Sequence, residues 1–112
     1  MDVVKRGDLV VMVLPGDFGT PRPALVIQSD VFNQHHPTIT VVPSTSLIGD
    51  RPLFRLTVEP SPANGLKVTS QIMIDKISPV KREKIGQRIG RLDEITMQRV
   101  NRAAAMWLGV AA

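Results

Sequence analysis

The stretch of residues 21–46, which reads PRPALVIQSDVFNQHHPTITVVPSTS, decides the fold because two strands and a helical turn can be read from it. Residues 24–28 and 38–42 are dominated by aliphatic and β-branched side chains, which favour β-strands. The second strand is expected to stop at Pro43, because proline cannot donate a ladder hydrogen bond. Residues 29–30 predict the cap of one short helical turn. Strands this short, separated by turn residues, favour a small barrel or sandwich.

The same pattern continues on both sides of this stretch. Nine prolines and eight glycines keep the segments short, and residues 61–65 are typical of a turn. Val68, Ser70, Ile72 and Ile74 alternate with other residues and would share one face of a strand. Four further strands are therefore expected, at residues 9–14, 53–58, 68–77 and 85–92.

The one long helix that the sequence predicts lies near the end of the chain. Asp93 is suited to cap it, with Leu92 and Met97 at the positions of a hydrophobic staple. Gly109 fits the left-handed residue that ends a helix. An apolar stripe at helical spacing consists of Met97, Val100, Ala104, Trp107 and Leu108. The expected architecture is mainly β with α, with five to seven short, mostly antiparallel strands closed by a C-terminal amphipathic helix.

Composition excludes several classes of protein. The 112 residues suit a single domain over residues 1–112, and 43% of them are hydrophobic, enough for one small core. Cysteine is absent, which excludes disulfide scaffolds and thiol catalysis, and the only histidines are the adjacent His35 and His36. We therefore expect no metal and no cofactor. Without a signal peptide or an apolar run near the roughly 20 residues of a spanning helix, we expect a soluble cytoplasmic protein and no membrane partner.

The net charge of +4 comes from a single stretch. Residues 1–80 hold seven basic and seven acidic side chains, whereas residues 81–102 hold seven basic and three acidic ones. A basic patch favours an anionic partner such as nucleic acid or an acidic protein segment. A solvated face has the same composition, so the charge leaves both interpretations open.

Three segments stand in an informative order: GDLV at residues 7–10, PRPALVI at 21–27 and VVPSTS at 41–46. Their order and spacing resemble the MazF/PemK family of toxin endoribonucleases. In that family Gly-Asp or Gly-Glu opens the first strand, Arg-Pro starts the second, and Val-Pro-x-Thr ends the third. Gly65 followed by Gln71 is similar to a further strand motif of the family. The resemblance implies an SH3-like small β-barrel of the MazF/PemK/CcdB type over nearly the whole chain.

The resemblance also implies an activity and partners. It implies a homodimer that cleaves single-stranded RNA at short sequences without a metal, and an antitoxin whose acidic, flexible tail covers the RNA groove. The RNA 2′-hydroxyl would attack the phosphate, leaving a 2′,3′-cyclic phosphate and a 5′-hydroxyl. The protein then has to align the strand, move two protons and stabilise charge on the phosphate.

Carried residue by residue onto this chain, the resemblance assigns catalytic roles to Arg22, Thr45 and Asp17. A guanidinium can clamp two phosphate oxygens, and the prolines on either side would hold Arg22 stiffly. The Thr45 hydroxyl can donate to a phosphate oxygen, although Ser and Thr are also ordinary turn residues. Asp17 would act as the general base or orient Arg22, but it equally fits a simple turn.

Contacts to RNA are expected from Ser46, Phe18, Lys67, Ser70 and Gln71. Phe18 would stack on a base. Lys67 and Gln71 would reach RNA from a strand, although solvated strand residues have the same pattern. Some family members carry an aspartate, acting as base, where this chain has Ser70, so the motif leaves the general base open.

Two other functions compete with the ribonuclease. CcdB-type toxins share the architecture but poison DNA gyrase, and residues 107–110, WLGV, are similar to the helix end they use. Trp107 on the apolar stripe is more typical of a core or dimer interface. A non-catalytic SH3-like module could instead bind RNA or protein through residues 81–102. Arg22 and Thr45 discriminate, because neither rival needs them.

Overall fold

The computed structural model describes residues 3–14 and 19–111. In this part of the chain the strands are β1 (Asp8–Met12), β2 (Arg22–Val26), β3 (Thr38–Thr45), β4 (Arg55–Val58), β5 (Ser70–Met73), β6 (Ser78–Lys81) and β7 (Arg88–Arg91). The helices are α1 (Asp30–Asn33) and α2 (Glu94–Trp107), and short 3-10 turns lie at Ile74–Lys76 and Arg82–Lys84. The described residues form seven strands, which confirms the expectation of five to seven.

The strands form one sheet in the order β4-β5-β3-β2-β1-β7, and β6 also pairs with β3. Every registered pair is antiparallel, and β5 and β6 follow one another along the same edge of β3. The sheet curls into a half-barrel that carries α2 at the end of the chain. The expected small β-barrel with a C-terminal helix is confirmed in this form. No helix among the described residues is long and apolar enough to cross a membrane.

Strand register sorts the apolar side chains into two buried layers. Leu9 pairs with Leu25 and Leu25 with Val42, and all three belong to the layer that α2 covers. Their chain neighbours face the other way, and Val10 and its partner Ala24 lie in the second layer. Since neighbouring residues of a strand point to opposite faces, a slip of one residue would exchange the two layers.

Helix α2 begins and ends where the sequence predicts. The Asp93 carboxylate accepts a hydrogen bond from the Thr96 backbone N–H at 2.6 Å, and this bond lowers the pKa of Asp93. Gly109 adopts a φ of 74° just beyond the helix. The buried face is narrower than the expected stripe, because the buried helix residues are Met97, Val100 and Ala103. Trp107 is 48% exposed, so it is not a core residue of the single chain, and the alternative of a dimer interface stays a prediction.

The prediction that the third strand stops at Pro43 is also wrong. Strand β3 runs on to Thr45, and Pro43 pairs with Ala24 of β2. On the other edge of β3, Val42 and Pro43 have no paired residue, because the neighbouring strand changes there from β6 to β5. A residue without an amide hydrogen therefore loses no ladder bond there.

Two further expectations need correction. The strand expected at residues 68–77 shortens to β5, and Val68 lies outside it and is 55% exposed. All four β5 residues are buried, so the alternation of apolar and polar residues in this segment does not correspond to one buried face and one exposed face. Strand β6, which contains Pro79, is not among the predicted strands.

Candidate active site

A cavity of about 680 Å³ opens where β2 begins and β3 ends. We call it the groove. Five of the predicted site residues line it: Arg22, Thr45, Ser46, Lys67 and Ser70. They come from separate parts of the chain, since Arg22 begins β2, Thr45 ends β3 and Ser70 begins β5. Asp17 and Phe18, also predicted for the site, lie outside the described residues.

Arg22 is held in the lining of the groove by its neighbours in the sheet. Strand β2 starts at this residue, between Pro21 and Pro23, so the stiff loop-to-strand junction expected from the sequence is present. The half-buried guanidinium donates from Nη1 to the Ser44 carbonyl at 3.3 Å. Its position is therefore fixed by contact with β3, not by a flexible loop.

The end of β3 presents hydroxyl groups to the groove. Ser44 is buried and donates from Oγ to the Pro23 carbonyl at 2.6 Å, which joins β3 to β2 beside Arg22. Thr45 is half-buried, and its Oγ1 accepts from the Leu47 backbone N–H at 3.1 Å. A hydroxyl that accepts in this way keeps its own hydrogen for donation. Thr45 can therefore donate to a ligand, whereas Ser44 holds the strand ends together.

The opposite wall is the segment before β5, and a buried asparagine organises it. Asn64 accepts on Oδ1 from the backbone N–H groups of Ser61 and Leu66 at 3.0 and 2.9 Å, and donates to the Glu59 carbonyl at 2.9 Å. Gly65, at φ +70°, lies so close to β7 that a Cβ would come within 2.1 Å of the Ile89 carbonyl oxygen. This tight turn places the next residues along the groove.

The described lining of the groove is cationic. Arg22 and Lys67 line it, and none of the described residues that line it is acidic. Lys67 is exposed, whereas Arg22 is half-buried, so the two cations approach a ligand from different depths. Two cations beside backbone and hydroxyl donors form a site for a polyanion such as a phosphodiester.

Gln71 does not line the groove, although the sequence predicts an RNA contact from it. The side chain is buried and lies behind the wall, where Nε2 donates to the Gly49 carbonyl at 2.8 Å and Oε1 accepts from the Gly49 N–H at 3.0 Å. Nε2 also approaches Thr57 Oγ1 at 3.2 Å. Its amide thus pairs with a loop backbone in the manner of a β-bridge. We refer to this arrangement as the Gln71 clamp.

Ser70 lines the groove but is turned toward the backbone. It is buried, and its hydroxyl donates to the Val68 carbonyl at 2.9 Å. This bond shapes the bend that leads into β5. Sequence reasoning missed Ser44 and Asn64, because their roles depend on bonds to backbone groups that no motif reveals.

The basic stretch of residues 81–102 does not form one face. Arg82 donates to the His36 carbonyl, while Arg88 and Arg91 both contact Asp8. None of the basic side chains of this stretch lines the groove. Within residues 3–14 and 19–111, no group of three His, Asp or Glu side chains is placed to hold a metal ion.

Comparison with known proteins yields close sequence relatives. The family profile described as PemK-like, MazF-like toxin of type II toxin-antitoxin system matches residues 5–108. The probable endoribonuclease MazF of Mycolicibacterium smegmatis is 43% identical over 109 residues, which cover 96% of this chain and 99% of that protein. Endoribonuclease EndoA of Bacillus subtilis is 29% identical over 112 residues, with 96% of this chain and 97% of that protein covered.

Solved structures share the fold at lower identity. An endoribonuclease from a mycobacterial species, in complex with its cognate antitoxin, has a TM-score of 0.80 at 23% identity, covering 97% of this chain and 98% of that one. A MazE–MazF complex from Deinococcus radiodurans has a TM-score of 0.77 at 21% identity, covering 97% and 98%. These similarities show a half-barrel of the same kind.

Proposed function

This chain belongs to the MazF/PemK family of toxin endoribonucleases of type II toxin–antitoxin systems, and on that premise we propose that it cleaves single-stranded RNA in the groove. The observation that carries the proposal is the meeting of Arg22 and Thr45, from different strands, in a groove with no acidic residue among its described lining. A phosphodiester is the ligand that such a set of donors fits.

The proposed reaction uses the nucleophile that RNA itself supplies. The 2′-oxygen forms a bond to phosphorus while the bond from phosphorus to the 5′-oxygen breaks. The proton of the 2′-hydroxyl passes to a general base, and the departing 5′-oxygen takes up a proton. The products are a 2′,3′-cyclic phosphate and a 5′-hydroxyl, and no water is consumed in this step.

Arg22 is proposed to stabilise the charge that develops on the phosphate. It remains protonated throughout, and its hydrogen bond to the Ser44 carbonyl of β3 orients its donors before the substrate binds. Thr45 is proposed to donate to a second phosphate oxygen. Ser46 and Lys67 also line the groove and would contact the strand. Asp17 is proposed as the general base, and its alternative role is to orient Arg22.

The proposal extends to two protein partners. The structures of relatives hold an antitoxin or MazE, and we propose that this chain likewise binds a cognate antitoxin through an acidic, flexible tail. The cations of the groove support this, since a carboxylate would meet the same donors as a phosphate. We also propose a homodimer, for which light scattering should give a mass near twice 12.3 kDa.

The test compares Arg22→Ala with Arg102→Ala, which removes an equal charge from α2 at a residue outside the groove. Initial rates are measured on one single-stranded RNA, with folding checked by circular dichroism. We expect kcat/KM to fall about 100-fold or more for Arg22→Ala, the usual cost of losing one such contact, and to stay unchanged for Arg102→Ala. Normal cleavage by folded Arg22→Ala would refute the role of Arg22.

Thr45→Val gives an independent test at the same site, because valine keeps the shape and loses the donor. We expect a smaller loss of kcat, with the fold intact. A folded wild-type protein that leaves RNA intact would instead favour gyrase poisoning, which a DNA supercoiling assay measures, or simple binding.

A further inference from the structure

A second cavity, of about 880 Å³, lies beside the groove between the N-terminal segment and β7. Lys5, Arg88 and Arg91 line it together with one carboxylate, Asp8. Gln87 lines both cavities, so the second cavity adjoins the groove at this residue. We call the second cavity the flanking pocket.

The flanking pocket has more cationic charge than its carboxylate neutralises. Arg88 Nε and Arg91 Nη1 lie 3.2 and 3.0 Å from the same oxygen, Asp8 Oδ1. The other oxygen, Oδ2, accepts from the Lys5 backbone N–H at 2.8 Å. One guanidinium balances the single charge of the buried carboxylate, so the second leaves this cluster with a net positive charge. Each guanidinium has five N–H donors. Arg91 donates one of them to Asp8, whereas Arg88 contacts Asp8 as an ion pair.

The backbone is shaped to hold these arginines in place. Gly7 has a φ of +98°, and a Cβ at this position would lie 3.3 Å from Arg91 Nη2. Its N–H donates to the Val26 carbonyl at 2.8 Å, which ties the turn to β2. The Gly-Asp motif at residues 7–8 therefore positions the two guanidiniums. Their side chains nevertheless remain 58% and 47% exposed, so their outer donors face solvent.

We propose that the flanking pocket binds a backbone phosphate of the RNA strand on one side of the cleaved bond, and this rests on the proposed function. Guanidiniums present paired donors that match phosphate oxygens, and such contacts position a strand without reading its sequence. Because the pocket adjoins the groove at Gln87, one continuous strand can occupy both. Arg88 is the principal donor, since Arg91 alone can keep Asp8 paired.

The test measures binding of RNA that carries a 2′-deoxy sugar at the cleaved nucleotide and so cannot be cut. Three oligonucleotides are compared: one just long enough to be recognised, one extended on its 5′ side and one extended on its 3′ side. Arg88→Gln is the test variant, and Arg102→Gln, in the same basic stretch but on α2, is the control. Light scattering of each variant accompanies the binding measurements.

We expect Arg88→Gln to weaken binding of one extended RNA about tenfold, as for the loss of one charged hydrogen bond, and to leave the short RNA unaffected. The slope of log affinity against log salt should fall by about one for that RNA. Arg102→Gln should match the wild type on all three.

If Arg88→Gln loses the same affinity for the short and the extended RNAs, or loses no affinity for any of them, the proposed phosphate site in the flanking pocket would be overturned. If light scattering shows that Arg88→Gln no longer has the mass of a dimer, the proposal is overturned in favour of an interface between copies. If Arg88→Gln binds all three RNAs normally but binds a synthetic glutamate-rich peptide more weakly, the proposal is overturned in favour of a protein partner. A wild-type protein that binds and cuts no RNA would mark failure of the proposed function itself.

Discussion

The Gln71 clamp makes a quantitative prediction about stability. Gln71→Met keeps the length and apolar stem of the side chain but removes the amide that pairs with Gly49. Three hydrogen bonds disappear, two to the Gly49 backbone and one to the Thr57 hydroxyl. A typical hydrogen bond contributes about 0.5–1.5 kcal/mol net. Since Gly49 and Thr57 are exposed, water can replace the lost partners, and the lower half of that range applies.

The expected loss in the free energy of unfolding is therefore about 2 kcal/mol, which corresponds to a fall in Tm of roughly 8 °C for a chain of this size. Thr57→Val removes one of the three bonds and should cost about 0.5 kcal/mol. Both are measured by urea unfolding at one fixed protein concentration, because association stabilises the folded chain. A Gln71→Met variant as stable as the wild type would refute the clamp.

Activity separates the clamp from a direct RNA contact by Gln71. Gly49→Pro removes the N–H that donates to Gln71 Oε1 but leaves Gln71 itself unchanged. Gly49→Ala keeps that N–H, and nothing lies within 4 Å of the added Cβ, so it serves as the control. If Gln71 acts through the loop, Gly49→Pro and Gln71→Met should raise KM similarly, with non-additive effects in the double variant. If Gly49→Pro cleaves RNA normally while Gln71→Met cleaves it poorly, the result would favour a direct contact between Gln71 and RNA.

Two further predictions concern stability. Gly65→Ala should cost more than Gly109→Ala in urea unfolding: both have φ near +70°, at 70° and 74°, but only the Gly65 Cβ meets a backbone oxygen. The excess, which comes from the clash alone, should reach about 1–3 kcal/mol, and equal losses would contradict the close approach of this turn to β7. The second concerns Asp75, whose pKa the paired hydrogen bonds from Arg55, at 2.7 and 2.9 Å, hold below its usual value. A lowered carboxyl pKa stabilises the fold above the unfolded pKa of about 3.9 and loses that effect as pH falls through the folded pKa. The stability difference between wild type and Asp75→Asn should thus be largest above about pH 5 and shrink below about pH 4; a difference independent of pH would contradict the pair.

The sequence predicts an element correctly where its local pattern and the tertiary structure favour the same backbone conformation. Asp93 and Gly109 mark the ends of α2 because capping is a local matter of backbone geometry. The prediction fails at Pro43, because the strand continues only where a break in the neighbouring pairing frees that edge. No pattern within β3 reveals that break.

The same contrast holds in the site. Motif spacing identifies Arg22 and Thr45, and the fold brings both into one groove. The clamp by Gln71 depends on a bond across 22 residues of chain to a glycine backbone that carries no side-chain signal. Sheet order places β7 beside β1, so Gln87 and Ile89 line the groove while Arg88 and Arg91 line the flanking pocket.

The measurement that tests the central claim most directly is the chemistry of the RNA ends. Purified wild-type protein is incubated with a long single-stranded RNA in excess EDTA, and both new ends at each cut are identified. The account predicts discrete cuts that leave 5′-hydroxyl and 2′,3′-cyclic phosphate ends. Intact RNA, or cuts that leave 5′-phosphates, would contradict it.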